Sequence, residues 1–523
     1  MTKKMELSPF ELKDKLIGLA ASHSERMMLN AGRGNPNFLA TEPRYAFLRL
    51  GEFAMSEAER SYSYLRSGFG GIPEKDGMLN RFDNFINDNK GRDGIELICS
   101  SVSFIEDHLG YSKETFLYEL VEAFLGCNYP VPPRMLKLSE EIVKLYIGKE
   151  ICGSSTQSEF FDLFATEGGT AAMTYLFNSL KRNGLITPGD KIAIMTPIFS
   201  PYLEIPVIPE FDLESIYIRA DEHLNWQFDD KEIRKLEDKS IKLLCMVNPS
   251  NPPSVKLSND CLQALANVVE TKRPDLMIVT DDVYATFSDD FTSVFAASPY
   301  NTLCVYSFSK YFGATGWRLG VMALHKDNVF DEALNNLPVK DKNRLEKRYE
   351  SLTDDVESLK FIDRLVADSR TVALNHTSGI SLPQQLQMTL FALASLLDEQ
   401  KKYNKAAKQL INRRYDILYQ AIGIQPTVDE NSVDYYTIID LELLSEQMYD
   451  KGFSQWLMKQ LKGYNFLMRL AEETSVVLLP GKGFEVDHPS VRVSLANLEE
   501  YQYRAIGLFV NKILAEFHQS YMK

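Results

Sequence analysis

What this chain lacks narrows its chemistry before any motif is read. No stretch reaches the roughly 18 consecutive apolar residues that a membrane helix needs. The longest candidate, around Leu386 to Leu397, contains Gln387 and Thr389 and reads as a buried helix. The opening Met1-Thr2-Lys3-Lys4-Met5-Glu6-Leu7 has no apolar core of the kind a secretory signal carries. The six cysteines (Cys99, Cys127, Cys152, Cys245, Cys261, Cys304) fall without metal-ligand spacing, as reduced thiols of a cytosolic protein do. Cys245 and Cys304 lie in apolar runs and read as buried, inert thiols. Positive charge is also short: 57 Lys and Arg against 72 Asp and Glu leave a formal net charge of −15. That balance argues against a general electrostatic footprint for nucleic acid, and neither a basic segment, a helix-turn-helix signal nor an internal repeat is present. An anion site here has to be built locally from arginines and backbone amides. The expectation is a cytoplasmic protein that engages no metal, no membrane and no nucleic acid.

What is present is a globular composition. The 523 residues are 45% apolar and 25% charged, enough for two or more domains with well-filled cores. Four short, continuously apolar runs share one arrangement. Lys191-Ile-Ala-Ile-Met195 leads into Thr196-Pro197-Ile198-Phe199, and Leu243-Leu-Cys-Met-Val247 into Asn248-Pro-Ser-Asn251. Leu276-Met-Ile-Val279 leads into Thr280-Asp281-Asp282-Val283-Tyr284, and Leu303-Cys-Val-Tyr306 into Ser307-Phe-Ser309-Lys310. Each is separated from the next by enough chain for a helix, the pattern of strands in a mainly parallel sheet covered on both faces. Open α/β sheets bind ligands outside the carboxyl ends of their strands. Phe199, Asn251, Asp281 with Tyr284, and Lys310 are therefore expected to converge on one crevice.

Those residues have complementary chemistry. A lysine can form an imine with an aldehyde, while Ser307, Ser309 and Arg318 can hold an anion such as phosphate. Gly168 and Gly169 open an apolar helical stretch, where free amides and the helix dipole suit a phosphate. A carboxylate such as Asp281 beside a pyridine nitrogen keeps that nitrogen protonated. Tyr284 and Asn251 can hydrogen-bond a phenolic oxygen, and Phe199 can stack on a ring. Alone, Ser-x-Ser-Lys fits a surface loop with a solvated lysine equally well. The joint set fits pyridoxal 5′-phosphate.

In order, Gly168-Gly169, Phe199, Asn251-Pro252, Asp281-x-x-Tyr284, Ser307-x-Ser309-Lys310, Arg318 and Arg492 resemble the fold-type I enzymes of the aspartate aminotransferase group. The resemblance runs from about Asn30 to the C-terminus. It implies an α/β fold with a large domain, its mainly parallel sheet between helices, and a smaller α+β domain. It also implies that Lys310 is the Schiff-base lysine. Arg318, Ser307, Ser309 and the amides of Gly168 and Gly169 are implied to hold the phosphate, Asp281 the pyridinium, and Asn251 and Tyr284 the phenolic oxygen. Arg492 is implied to take the substrate α-carboxylate through its planar fork. Tyr129, in Asn128-Tyr129-Pro130, is similar to a tyrosine that reaches the cofactor phosphate of a neighbouring subunit. A homodimer is the implied minimum, with larger assemblies such as a dodecamer open.

The expected division is an N-terminal arm with part of the small domain (1–52), an inserted mainly helical segment (53–126), a cofactor-binding domain (127–384) and a C-terminal small domain (385–523). A charge-rich insertion, 326–370, carries Leu345, Tyr349, Leu352, Val356 and Leu359 as an apolar stripe on a helix. Ser254 stands where the group has glycine, and Thr377 where its side-chain-reading arginine is expected. Arg33, beside Gly34 in Gly-Arg-Gly-Asn-Pro-Asn, is then the candidate for a second substrate carboxylate. These departures are similar to the aspartate 4-decarboxylases of the group, and imply conversion of L-aspartate to L-alanine and CO₂ with aminotransferase side activity. A plain aminotransferase acting on aspartate, alanine or aromatic amino acids remains an alternative, and so does a non-catalytic cofactor-binding regulator.

Overall fold

The apolar runs become the centre of one seven-stranded sheet. The computed structural model describes residues 9–21, 27–66, 68–129, 134–370, 379–425, 429–461 and 464–523. The strands are β1 (Phe161–Thr166), β2 (Lys191–Thr196), β3 (Glu214–Arg219), β4 (Ile241–Val247), β5 (Met277–Asp281), β6 (Thr302–Ser307) and β7 (Gly320–His325). Their order is β1-β7-β6-β5-β4-β2-β3. Only β7 runs against the rest, pairing antiparallel with both β1 and β6. Alternate side chains feed different cores: Ile192 and Ile194 enter one cluster, Ala193 and Met195 the other. That period of two, buried on both sides, explains why these strands read as unbroken apolar runs.

A smaller antiparallel sheet is formed by β8 (Tyr436–Asp440), β9 (Leu479–Pro480) and β10 (Ser490–Ser494), in the order β9-β10-β8. The helices Lys402–Ile422 and Glu500–Tyr521 pack against each other beside it. Leu29 and Asn30 pair in parallel with Val476 and Val477, and Ala31 accepts a bond from the Ser494 amide at 2.8 Å. The N-terminal segment is thereby stitched to the small sheet, and the residues after it reach the crevice.

The 53–126 segment is helical, built from the end of Glu42–Ser61 and from Met78–Asp88, Ile95–Leu109 and Lys113–Leu125. Two expected boundaries fall inside helices. Position 53 lies within Glu42–Ser61, and 384/385 within Leu382–Leu397, which packs on Lys137–Glu150 and Lys113–Leu125. The charge-rich insertion differs from expectation: its helix, Val339–Tyr349, ends before the stripe does. Leu345 and Tyr349 are buried on it, Leu352 is exposed, and Val356 is buried from irregular chain. Here the Asp355 amide donates to Thr353 Oγ1 at 3.2 Å and the Ser358 amide to Asp355 Oδ1 at 3.2 Å. Such local side-chain bonds compete with helix formation. Among the described residues no helix is long and apolar enough to cross a membrane.

Candidate active site

The C-terminal ends of β2, β4, β5 and β6 open on one cavity of about 440 Å³. Phe199, Asn251, Asp281, Tyr284, Ser307, Ser309 and Lys310 line it, joined by Gly169, Arg318, Arg492, Arg33 and Gly34. Gly168 stands directly behind, as a Cβ there would lie 2.4 Å from Arg318 Nη2. Its φ of +88° also favours glycine. Tyr129 does not line the cavity; it is 65% exposed. Thr377 lies outside the described residues.

At the floor, β5 ends in two carboxyl groups that alternation sends to opposite faces. Asp281 lines the cavity, buried, and accepts from Tyr202 Oη at 3.3 Å and from the Val283 amide at 3.3 Å. Burial pushes its pKa up to about 6, opposed by those two bonds and by positive Lys310. Asp282 faces the core, bonded by Thr280 Oγ1 at 2.5 Å and by Ser293 Oγ. Burial raises its pKa to about 7.

Lys310 Nζ donates to the Gly34 carbonyl at 2.9 Å, and Tyr435 Oη donates to the same oxygen at 2.8 Å. Asn251 Nδ2 donates to Tyr284 Oη at 3.4 Å, while its Oδ1 accepts from Arg492 Nη1 at 3.0 Å. Burial raises the Tyr284 pKa well above that of an ordinary phenol. Arg492, on β10, donates from Nη2 to the Gly32 carbonyl at 2.9 Å and lies over the Tyr436 and Phe484 rings, at 4.4 and 4.7 Å from their centroids. Its Nε is buried without a partner, and burial lowers its pKa. A buried guanidinium with an unpartnered donor beside a cavity has the chemistry to take a carboxylate.

The family model for class I and II aminotransferases matches residues 162–506. The chain belongs to that family. It is 54% identical over 515 residues to a bifunctional aspartate aminotransferase and L-aspartate beta-decarboxylase of Pseudomonas, covering 98% of this chain and 97% of that one. It is 27% identical to an aspartate aminotransferase of Pyrococcus horikoshii over 35% of this chain and 44% of the other. A solved single mutant of the Thermus thermophilus aspartate aminotransferase shares the fold, with a TM-score of 0.60 at 16% identity across 98% of this chain and 97% of that one.

As in other class I and II aminotransferases, the cofactor is pyridoxal 5′-phosphate, and the cavity fits it. Asp281 is a buried carboxyl with only two long hydrogen bonds, an arrangement that a protonated ring nitrogen relieves. The helix Gly169–Arg182 starts without a side-chain cap, so its first amides are open to an anion. Ser307, Ser309 and Arg318 stand at that end of the cavity.

The sequence reading missed two groups of this aminotransferase site. Tyr436 lines the cavity with its hydroxyl 3.0 Å from Tyr284 Oη. Lys13, on the helix Pro9–Ala21, lines it from the N-terminal segment. Neither lies in a glycine-rich or strand-end motif. The run Asp434-Tyr435-Tyr436 before Thr437-Ile438-Ile439 was the available signal for Tyr436.

Proposed function

We propose that this chain converts L-aspartate to L-alanine and CO₂, with aspartate aminotransferase side activity. The near-full-length identity to the bifunctional Pseudomonas enzyme carries this reading, and a cavity that holds an amine, a buried acid and a buried arginine supports it.

When bound, pyridoxal 5′-phosphate supplies an aldehyde for the substrate amine and a ring that accepts electrons from the substrate carbons. Around it, each side chain has a task. Arg492 binds the α-carboxylate, using the Nε that the protein leaves unpartnered, and Asn251 and the Gly32 carbonyl hold its orientation. Lys310 takes the proton from the α-carbon and returns it, acting as the general base that its place at the cavity centre allows. Asp281 holds a proton at the ring nitrogen, and Tyr284 with Asn251 takes the phenolic oxygen. Ser307, Ser309, Arg318 and the amides of Gly168 and Gly169 hold the phosphate, and Phe199 stacks on the ring. Arg33, exposed at the mouth beside Gly34, meets the second carboxylate. That contact weakens as CO₂ departs, because a persistent ion pair would stabilise the carboxylate anion.

The proposed setting is the cytoplasm and the proposed minimum assembly a homodimer. Tyr129, exposed and away from its own cavity, would serve the site of a second copy. Incubating the purified chain with the cofactor and L-aspartate, with no added 2-oxo acid, should yield alanine and CO₂ in equal amounts. Amino transfer to a 2-oxo acid without CO₂ release would instead select the plain aminotransferase.

A further inference from the structure

We propose that Tyr436 is the acid that protonates the carbon from which CO₂ leaves; this rests on the decarboxylase reading above. Loss of CO₂ breaks the bond between the β-carbon and its carboxyl carbon, and the electron pair left behind needs a proton. Most of the other groups of the cavity are engaged elsewhere, while Lys13, which also lines it, is the rival donor. Lys310 serves the α-carbon and Asp281 the floor. Ser307 and Ser309 bond each other at 2.9 Å at the phosphate end, where Thr170 and Thr315 adjoin Gly169 and Arg318. Tyr284 is tied to Asn251 at 3.4 Å and to the Tyr436 hydroxyl at 3.0 Å.

Tyr436 stands at the substrate end, under the Arg492 guanidinium. A Cβ built on Gly34 would lie 2.2 Å from Tyr436 Oη and 3.1 Å from Lys310 Nζ. Hydroxyl and amine therefore both lie against Gly34, on one side of the cavity that they line together. The ring is held firmly. The Tyr436 amide donates to Ser254 Oγ at 2.8 Å, and Ser254 keeps a φ of +61°, a conformation that favours glycine. The guanidinium over the ring face offsets the negative charge left when the proton goes.

In the step, the Tyr436 O–H bond breaks, a C–H bond forms at the β-carbon, and the phenolate regains one proton from solvent. Net turnover takes up one proton for each CO₂ released. Tyr436 also lines a second cavity of about 340 Å³ with Glu222, Asp434 and Asp440 on its walls.

The test is Tyr436→Phe, which keeps the ring and the stacked cation. CO₂ release from aspartate should fall by roughly 100-fold or more, the usual worth of a general acid. Amino transfer from aspartate to a 2-oxo acid, which needs no proton at the β-carbon, should fall by less than about tenfold on the same basis. The affinity for maleate, an unreactive dicarboxylate, should stay as in the wild type; the cofactor band is no control here, because the Tyr436 hydroxyl lies 3.0 Å from Tyr284 Oη. Unimpaired CO₂ release would overturn the assignment. Equal loss of both activities, with or without weakened maleate binding, would overturn it too, leaving Tyr436 a positioning residue. A selective loss of CO₂ release in Lys13→Met with none in Tyr436→Phe would also overturn it. If the wild type released no CO₂ at all, the decarboxylase reading itself would fall; wild-type release with an active Tyr436→Phe removes this assignment alone.

Discussion

The floor and the upper wall of the cavity are made in opposite ways. The floor comes from consecutive strand ends of one rigid sheet: Asp281 on β5, and Ser307, Ser309 and Lys310 at and after β6. The upper wall is gathered from Gly32 to Gly34, Tyr436 and Arg492, segments as far as 460 residues apart, and held by bonds such as Arg492 Nη2 to the Gly32 carbonyl. Residues that grip a cofactor gain from a fixed frame, since its ring and phosphate keep one geometry. Residues that face the substrate come from several segments, whose packing can be altered without disturbing the cofactor grip.

The largest way to break the contrast is at the floor. Lys310→Ala should abolish both activities, with residual rates down by at least about 10⁴-fold, and should remove the absorbance band of the lysine-bound cofactor. Retained turnover in that variant would sink the scheme. At the upper wall, Arg492→Lys loses the planar fork that reaches Asn251 and the Gly32 carbonyl. KM for every amino acid substrate should rise by roughly 100-fold, the worth of a buried charged hydrogen bond, while the cofactor spectrum stays unchanged.

A third measurement returns to the floor through pH. An ordinary Asp titrates near 3.9, and burial places Asp281 at about 6. Because the folded value is raised, this group favours the cofactor-free fold below about pH 4, and that contribution is lost as pH rises through about 6. A protonated ring nitrogen offsets the buried charge. The gap in stability between cofactor-loaded and cofactor-free protein, followed through their Tm values, should therefore widen over that window by on the order of 2–3 kcal/mol. In Asp281→Asn the pH-dependent part should vanish; a gap that widened as before would assign it to another group. The smallest effect is expected at Ser254→Gly. Relief of its backbone strain and loss of its bond to the Tyr436 amide should nearly cancel, leaving stability within about 1 kcal/mol. The ratio of CO₂ release to amino transfer should fall severalfold, and an unchanged ratio would show that Ser254 does not position the ring.

The floor was legible because its residues follow the strands that carry them. Each apolar run ended in its functional group. The antiparallel β7 and the edge strand β3 left no such mark, while β1 was marked only by the Gly168-Gly169 turn that follows it. Strand direction is set by neighbours, not by local pattern. The stripe from Leu345 to Leu359 misled for a related reason. Apolar spacing alone did not reveal that Thr353 and Asp355 cap their own backbone and end the helix at Tyr349.

Taken alone, the amino-acid order determined the cofactor chemistry, because an amine, an acid and an anion cradle at successive strand ends need only local geometry to meet. The tertiary structure decided the substrate end. Tyr436 and Lys13 share no motif with Lys310. Their approach depends on the pairing of Leu29 and Asn30 with Val476 and Val477 and on the seating of β8 beside the Ser254 turn, contacts between segments too distant in sequence for any local pattern to encode.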